Sequence, residues 1–232
     1  SYTMNFYDPN PVTDHFVTLT GLTPATGYYY TIESQAYFMQ GNSGNYFMTP
    51  PVAETIVPVR IWAIGDFGNA SAGQLAVRDA YATYADATYM NLWIWMGDNA
   101  YTTGTDAEYQ AKVFDIYPQQ FKRMPLYPSP GNHDYANAGY QSSTVLGINF
   151  PYFRIFAVPM AAEAGGIASG TEKYYSYDYA NIHFIALDSY GAFNDPGSAM
   201  YTWLGNDLED NRQRWTIVYF HHPPYTKGSH NS

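Results

Sequence analysis

The chain has 232 residues, with 10 Lys and Arg against 20 Asp and Glu for a net charge of −10, and no cysteine. Without a basic stripe, that balance argues against binding nucleic acid through its phosphates, and no apolar run is long enough to span a bilayer. The absence of thiols excludes disulfides and thiolate metal sites, so any bound metal must rest on oxygen and imidazole.

Taken in order, residues 1–49 read as β structure. Phe16-Val17-Thr18-Leu19 and Tyr28-Tyr29-Tyr30-Thr31-Ile32 are rich in β-branched and aromatic residues and are separated by a turn-rich connection. Tyr46-Phe47-Met48 predicts a last strand. Residues 50–59 form a proline-rich linker, and the larger domain occupies residues 60–232. Its first strand, over residues 60–64, ends in Gly65-Asp66-Phe67-Gly68. Asn69 or Ser71 caps a helix running to about Tyr84, with Leu75, Ala76, Ala80 and Tyr84 on its apolar face.

Leu92-Trp93-Ile94-Trp95-Met96 is apolar without alternation, as expected of a strand covered on both faces. It closes a right-handed βαβ unit and runs into Gly97-Asp98-Asn99-Ala100-Tyr101. An Asp at such a strand end lies where open α/β sheets place their ligands. Thr105-Asp106-Ala107-Glu108 is a capping-box pattern opening a helix towards Tyr117. The segment over residues 125–130 is extended but too rich in proline for the middle of a hydrogen-bond ladder, and it delivers Gly131-Asn132-His133-Asp134.

Residues 135–172 predict a long, mostly irregular insertion, a length usually tied to function. Residues 174–179 and 182–187 read as a hairpin across Ala180-Asn181. A helix near residues 199–213 follows, then a buried strand over residues 215–220 that ends in His221-His222-Pro223-Pro224.

Asp66, Asp98, Asn132 and His221 thus each follow a predicted extended segment and are expected to converge on one rim of the sheet. Oxygen and imidazole donors of this kind suit iron, manganese or zinc. Taken together, Gly65-Asp66-Phe67-Gly68, Gly97-Asp98-Asn99-Ala100-Tyr101, Gly131-Asn132-His133-Asp134 and Val218-Tyr219-Phe220-His221 resemble four of the five motif blocks of the purple acid phosphatases, a branch of the calcineurin-like metallophosphoesterases. The amino-terminal part resembles the closing strands of a fibronectin type III-like β-sandwich. The fold class implied is α/β: a layered metallophosphoesterase domain, with a β-sheet core flanked by helices, preceded by part of that sandwich.

The resemblance implies a binuclear metal centre of Fe(III) plus a divalent Zn, Mn or Fe ion. Asp66 and Tyr101 would bind the ferric ion, Asp98 would bridge, and Asn132 and His221 would bind the divalent one. Relatives that lack the tyrosine usually carry a histidine ligand at the position of Gly68, so Tyr101 would compensate. His133, held by Asp134, would contact the substrate phosphate, and His230 stands where plant-type relatives carry a histidine near the leaving group. His222 reads as a structural neighbour. The fifth block, Gly-His-x-His, is absent up to Ser232, and a polypeptide ending there is expected to be metal-poor.

The expected activity is hydrolysis of phosphate monoesters, because paired ions acidify a water and stabilise both oxygens of an in-line displacement at phosphorus. The partner is then a small phosphorylated substrate, with no nucleic acid and no membrane; the oligomeric state is not legible. A phosphodiesterase or nucleotidase on the same metals, and a noncatalytic scaffold retaining the fold, are the alternatives. Charged residues make up only 13% while tyrosines number 25, a surface chemistry that favours a secreted or periplasmic protein, although Ser1-Tyr2-Thr3 does not begin a signal peptide.

Overall fold

The computed structural model describes residues 4–85, 88–138 and 150–227. Four short strands come first: β1 (Gly27–Tyr29), β2 (Ile32–Glu33), β3 (Phe38–Gln40) and β4 (Tyr46–Met48). They form two antiparallel pairs, β1 with β4 and β2 with β3. Residues 16–19, expected as a strand, are exposed and form none. Their composition suits a pleated, half-covered surface, but strand propensity takes effect only where a neighbour supplies the ladder.

β5 (Ile61–Ile64) leads through helix α1 (Ala72–Ala85) to β6 (Leu92–Met96). Ser71 caps the helix, its Oγ accepting the Gln74 N–H at 3.2 Å. The face that packs inward carries Gln74, Leu75, Arg78, Tyr81 and Ala85, while Ala76, Ala80 and Tyr84 point to solvent, Tyr84 being 72% exposed. The expected apolar face was therefore rotated by part of a turn. Tyr81 decides the orientation, because its ring stacks on Trp62 at 3.7 Å, and Trp62 stacks in turn on Trp93 at 4.8 Å.

Helix α2 (Asp106–Tyr109) begins at Thr105 with both halves of the capping box in place, then widens into a π-turn over Gln110–Phe114. Helix α3 (Pro118–Phe121) leads into β7 (Leu126–Ser129). β5, β6 and β7 form one parallel sheet in that order. As an edge strand β7 tolerates Pro128, and tyrosine hydroxyls take the place of a further ladder. Tyr219 donates to Tyr127 O at 3.3 Å, while Tyr152 and Tyr175 donate to Pro128 O at 3.0 and 2.7 Å.

Of the expected insertion, residues 139–149 lie outside the described residues. Part of it is core: Tyr135, Phe150 and Phe156 are buried, as are Tyr152 and Phe153 on helix α4 (Pro151–Ile155), while residues 159–172 are exposed or half-buried. β8 (Tyr175–Tyr179) and β9 (Ile182–Ala186) form the expected antiparallel hairpin. After helix α5 (Ala199–Asp210), β10 (Trp215–Tyr219) runs parallel to β9, so this second sheet has the order β10-β9-β8. β10 was expected to be buried, yet Trp215 is 60% exposed and Val218 41%. Ile217 and Tyr219 turn to the core, while Thr216 and Val218 face outward.

Candidate metal centre

Because β5 and β6 are parallel, their carboxyl ends lie on the same rim, and Asp66 and Asp98 follow them in matching positions. Both aspartates take positive φ, 55° and 51°, a conformation short polar side chains tolerate better than most. The two turns are knitted together: Asp66 N–H donates to Gly97 O at 3.1 Å and Tyr101 N–H to Gly68 O at 2.8 Å. This explains Gly68 without reference to any ligand. A Cβ there would fall 1.9 Å from Asn99 O, so only glycine lets the second turn approach the first.

Asp66, Asp98 and His221 each offer a ligand atom, all within 4.8 Å of one another. The Tyr101 hydroxyl joins them, donating to Asp66 Oδ1 at 2.9 Å and Asp98 Oδ2 at 3.0 Å. His221 Nδ1 is 3.0 Å from Met96 O. A carbonyl only accepts, so Nδ1 carries a proton, and Nε2 faces Asp98 Oδ2 at 3.4 Å, donating to that carboxylate when protonated and offering its lone pair to a cation when not. A backbone carbonyl on the other ring nitrogen is the usual way a ligating histidine is oriented.

His133 is held in the same manner, with Nδ1 2.5 Å from Thr102 O and Nε2 3.8 Å from Asp98 Oδ2. Its backbone N–H donates to Asp98 Oδ1 at 2.9 Å, which draws the residue-131 turn onto the Asp98 carboxylate. Asn132 is the residue before it, half-buried at the start of a 3-10 turn.

The electrostatics describe a site that lacks positive charge. Burial alone would raise the Asp98 carboxyl, but hydrogen bonds from His221 and from the His133 N–H outweigh it and hold the group below its usual range. Burial pushes the Tyr101 phenol well above its ordinary value, and hydrogen bonds to Asp66 and the charge of Asp98 add to this. Burial would lower His221, but the bond to Asp98 and its charge raise it. Two carboxylates, a phenol oxygen and an imidazole nitrogen facing one another fit a hard or borderline transition-metal ion. Such a cation would take over the role that the shared phenolic proton plays between Asp66 and Asp98.

Asp134 does not hold the His133 ring. Its buried carboxylate accepts from Gly131 N–H at 2.8 Å, from Asn99 N–H at 3.1 Å and Asn99 Nδ2 at 3.0 Å, and from Tyr109 Oη at 2.6 Å. It thereby pins the Asp98 turn to the His133 turn from behind. Burial raises it to about 6 in spite of these donors. The reason for the correction is geometric: the 3-10 turn sends successive side chains in different directions, so His133 and Asp134 diverge. His230 lies outside the described residues.

Met96 O, Thr102 O and Ser189 were not foreseen. The two carbonyls leave no trace in side-chain patterns. Ser189 follows β9, and the strand-end rule applied to residues 182–187 would have pointed to Asp188 and Ser189. His222 sits against it, with its N–H 3.0 Å from Ser189 Oγ.

A family model described as calcineurin-like phosphoesterase matches residues 59–232. Purple acid phosphatase 23 of Arabidopsis thaliana is 26% identical over 237 residues, covering 93% of this chain and 49% of its own. Purple acid phosphatase 15 of the same plant is 25% identical over 239 residues, covering 91% and 42%. The structure of a purple acid phosphatase from yellow lupin (Lupinus luteus) seeds superimposes with a TM-score of 0.68 at 19% identity, over 88% of this chain and 38% of that one, a likeness of fold. The chain spans about half the length of the curated relatives it matches.

Proposed function

The chain belongs to the calcineurin-like phosphoesterase family, and from that premise we propose that it is part of a purple acid phosphatase-like hydrolase of small phosphate monoesters with a binuclear metal centre. The observation that carries this reading is the convergence of Asp66, Asp98 and His221 with the Tyr101 hydroxyl on one point of the rim. In this proposal Asp66 and Tyr101 hold Fe(III), Asp98 bridges, and Asn132 and His221 hold a divalent Zn, Mn or Fe ion. Residues 1–49 are part of a fibronectin type III-like module, residues 50–59 a linker and residues 60–232 the catalytic domain. Export to the cell exterior or periplasm belongs to the same proposal.

A metal pair, when bound, supplies Lewis-acid stabilisation of phosphoryl oxygens and acidifies a water. The protein's own part is orientation and charge. Met96 O fixes the His221 tautomer, so that Nε2 faces Asp98. Thr102 O fixes His133 so that its Nε2 is the atom left for the substrate. Carrying a proton there, His133 donates to a phosphoryl oxygen and stabilises the charge that grows on it in the transition state. The Asp134 hub holds these two turns at constant separation.

The test is to supply purified protein with iron and zinc, count bound metal, and compare hydrolysis of phenyl phosphate with that of bis(4-nitrophenyl) phosphate. For a protein that carries all five motif blocks, two metals per chain and a preference for the monoester are expected. A preference for the diester would move the reading to a phosphodiesterase on the same metals. Loss of metal binding with retained fold would favour a noncatalytic role.

A further inference from the structure

The ladder between β9 and β10 closes with Ala186 opposite Tyr219, yet the chains stay joined beyond it. Ser189 Oγ accepts the backbone N–H of His222 at 3.0 Å and lies 2.9 Å from Nδ1 of the same residue. A hydroxyl has two lone pairs and one proton, so it can accept from the amide and still share a bond with the ring. The serine stands on a fixed post. The neighbouring Asp188 is fully buried and accepts from Tyr190 N–H at 2.9 Å, from Gly191 N–H at 2.6 Å and from the Tyr135 hydroxyl.

Tyr135 lies two residues after His133, whose N–H binds Asp98 Oδ1. The polar contacts and the short chain segments between them therefore close a ring around the centre. It runs from Asp98 through the His133 turn to Tyr135, across to Asp188 and Ser189, over to His222, and back through His221 Nε2 to Asp98 Oδ2 at 3.4 Å. β10 ends two residues before His221, so ladder bonds do not reach the ligand. The Met96 carbonyl holds its ring from one side, and the Ser189 clamp holds its chain from the other.

We propose that Ser189 is a positioning residue for His221: by fixing the backbone and ring of His222 it sets where the His221 imidazole stands relative to Asp98. It acts through the adjacent peptide, its hydroxyl bonded to His222 rather than to Asp66, Asp98 or His221. The proposal rests on the metal-centre reading only for its consequence, metal affinity. Its structural content, the placement of the His221 ring, is testable without metal.

The experiment uses the full chain labelled with 15N-histidine, as wild type, Ser189→Ala and Ser189→Thr, with His221→Gln and His222→Gln chains serving to assign the ring signals. In metal-free protein, Ser189→Ala is expected to move the ring-nitrogen signals of both His222 and His221, and Ser189→Thr, which keeps the hydroxyl, to restore them. On titration with Co(II), Ser189→Ala is expected to bind about tenfold more weakly, the lower end of what loss of an outer contact to a ligand costs. Ser189→Thr should bind like wild type.

Should Ser189→Ala unfold, Ser189→Cys keeps the volume, weakens both bonds and takes its place. An unmoved His221 signal in a folded Ser189→Ala chain overturns the proposal, as does a Co(II) affinity equal to wild type. Where the wild-type chain takes up no Co(II), the His221 signal decides the role of Ser189 alone.

Discussion

Gly97 and His221 share a space that admits only one Cβ: a Cβ added to Gly97 would lie 2.5 Å from the Cβ of His221. Gly97 also takes φ +80°, so it satisfies two demands that no other residue meets together. It turns the chain out of β6 to present Asp98, and it leaves room for the histidine arriving from the second sheet.

Gly97→Ala should therefore cost about 2–5 kcal/mol, combining about 1–2 for the left-handed backbone with overpacking of about 1–3. It should also push His221 away from Asp98. Denaturant unfolding measures the first effect, and the His221 ring-nitrogen signal the second. A variant within about 0.5 kcal/mol of the parent would mean that the turn relaxes freely, as surface positions do.

Tyr101→Phe removes the hydroxyl that donates to Asp66 and Asp98 while keeping the ring that packs 4.6 Å from His133. The variant should stay folded. If the proposed iron(III) site is right, iron-loaded parent protein absorbs visible light through its phenolate ligand, and the variant loses that band. An unchanged visible spectrum would show that Tyr101 is not a ligand.

Asp98→Asn deletes the charge that His221, His133 and Tyr101 all approach. In the proposed centre it offsets two cations, so both metals should bind more weakly and monoester hydrolysis should fall by orders of magnitude. Metal analysis beside turnover checks this, and activity within a few-fold of the parent would end the shared-carboxylate reading.

A second polar cluster, distant in sequence from the metal motifs, makes a prediction about pH. The buried His183 ring lies between Asp178 Oδ1 at 2.7 Å and Asp207 Oδ2 at 2.8 Å, and Asp207 also accepts from Ser176 Oγ at 2.7 Å. Burial would lower this histidine, but the two carboxylates overcome it and raise the ring from 6.5 to about 9. A group raised on folding contributes stability in full below its unfolded value and loses it as pH rises through the folded one. The protein should accordingly lose about 3 kcal/mol between pH 6.5 and pH 9 from this residue, at about 1.4 kcal/mol per pKa unit.

His183→Gln should abolish that slope and cost about 3–5 kcal/mol at neutral pH, because it leaves the buried Asp207 and the half-buried Asp178 carboxylates without a cation. Chemical denaturation of both chains at several pH values tests it. Parallel pH profiles would place the dependence elsewhere.

The residues alone determined several elements of the larger domain and which strand ends carry the aspartates. The unalternating apolar run of Leu92–Met96, the capping box at Thr105 and the hairpin across Ala180-Asn181 are local signals, set by neighbours within a few positions, and each was legible for that reason. So was the placing of Asp66 and Asp98 at one end of the strands, since parallel connections put the carboxyl ends of β5 and β6 on the same side, whereas His221 arrives from the second sheet.

What tertiary structure decided were the matters settled between distant segments. Which face of α1 turns inward depends on the Trp62 ring that Tyr81 meets. Residues 16–19 have strand chemistry but no ladder among the described residues. Asp134 faces Asn99 and Tyr109 instead of the histidine beside it. The two histidines owe their tautomers to carbonyls of Met96 and Thr102, and a carbonyl is the same in every residue. Side-chain pattern reports on a residue's own strand or helix, whereas a backbone oxygen acquires its role only when folding sets it within 3 Å of something that needs it.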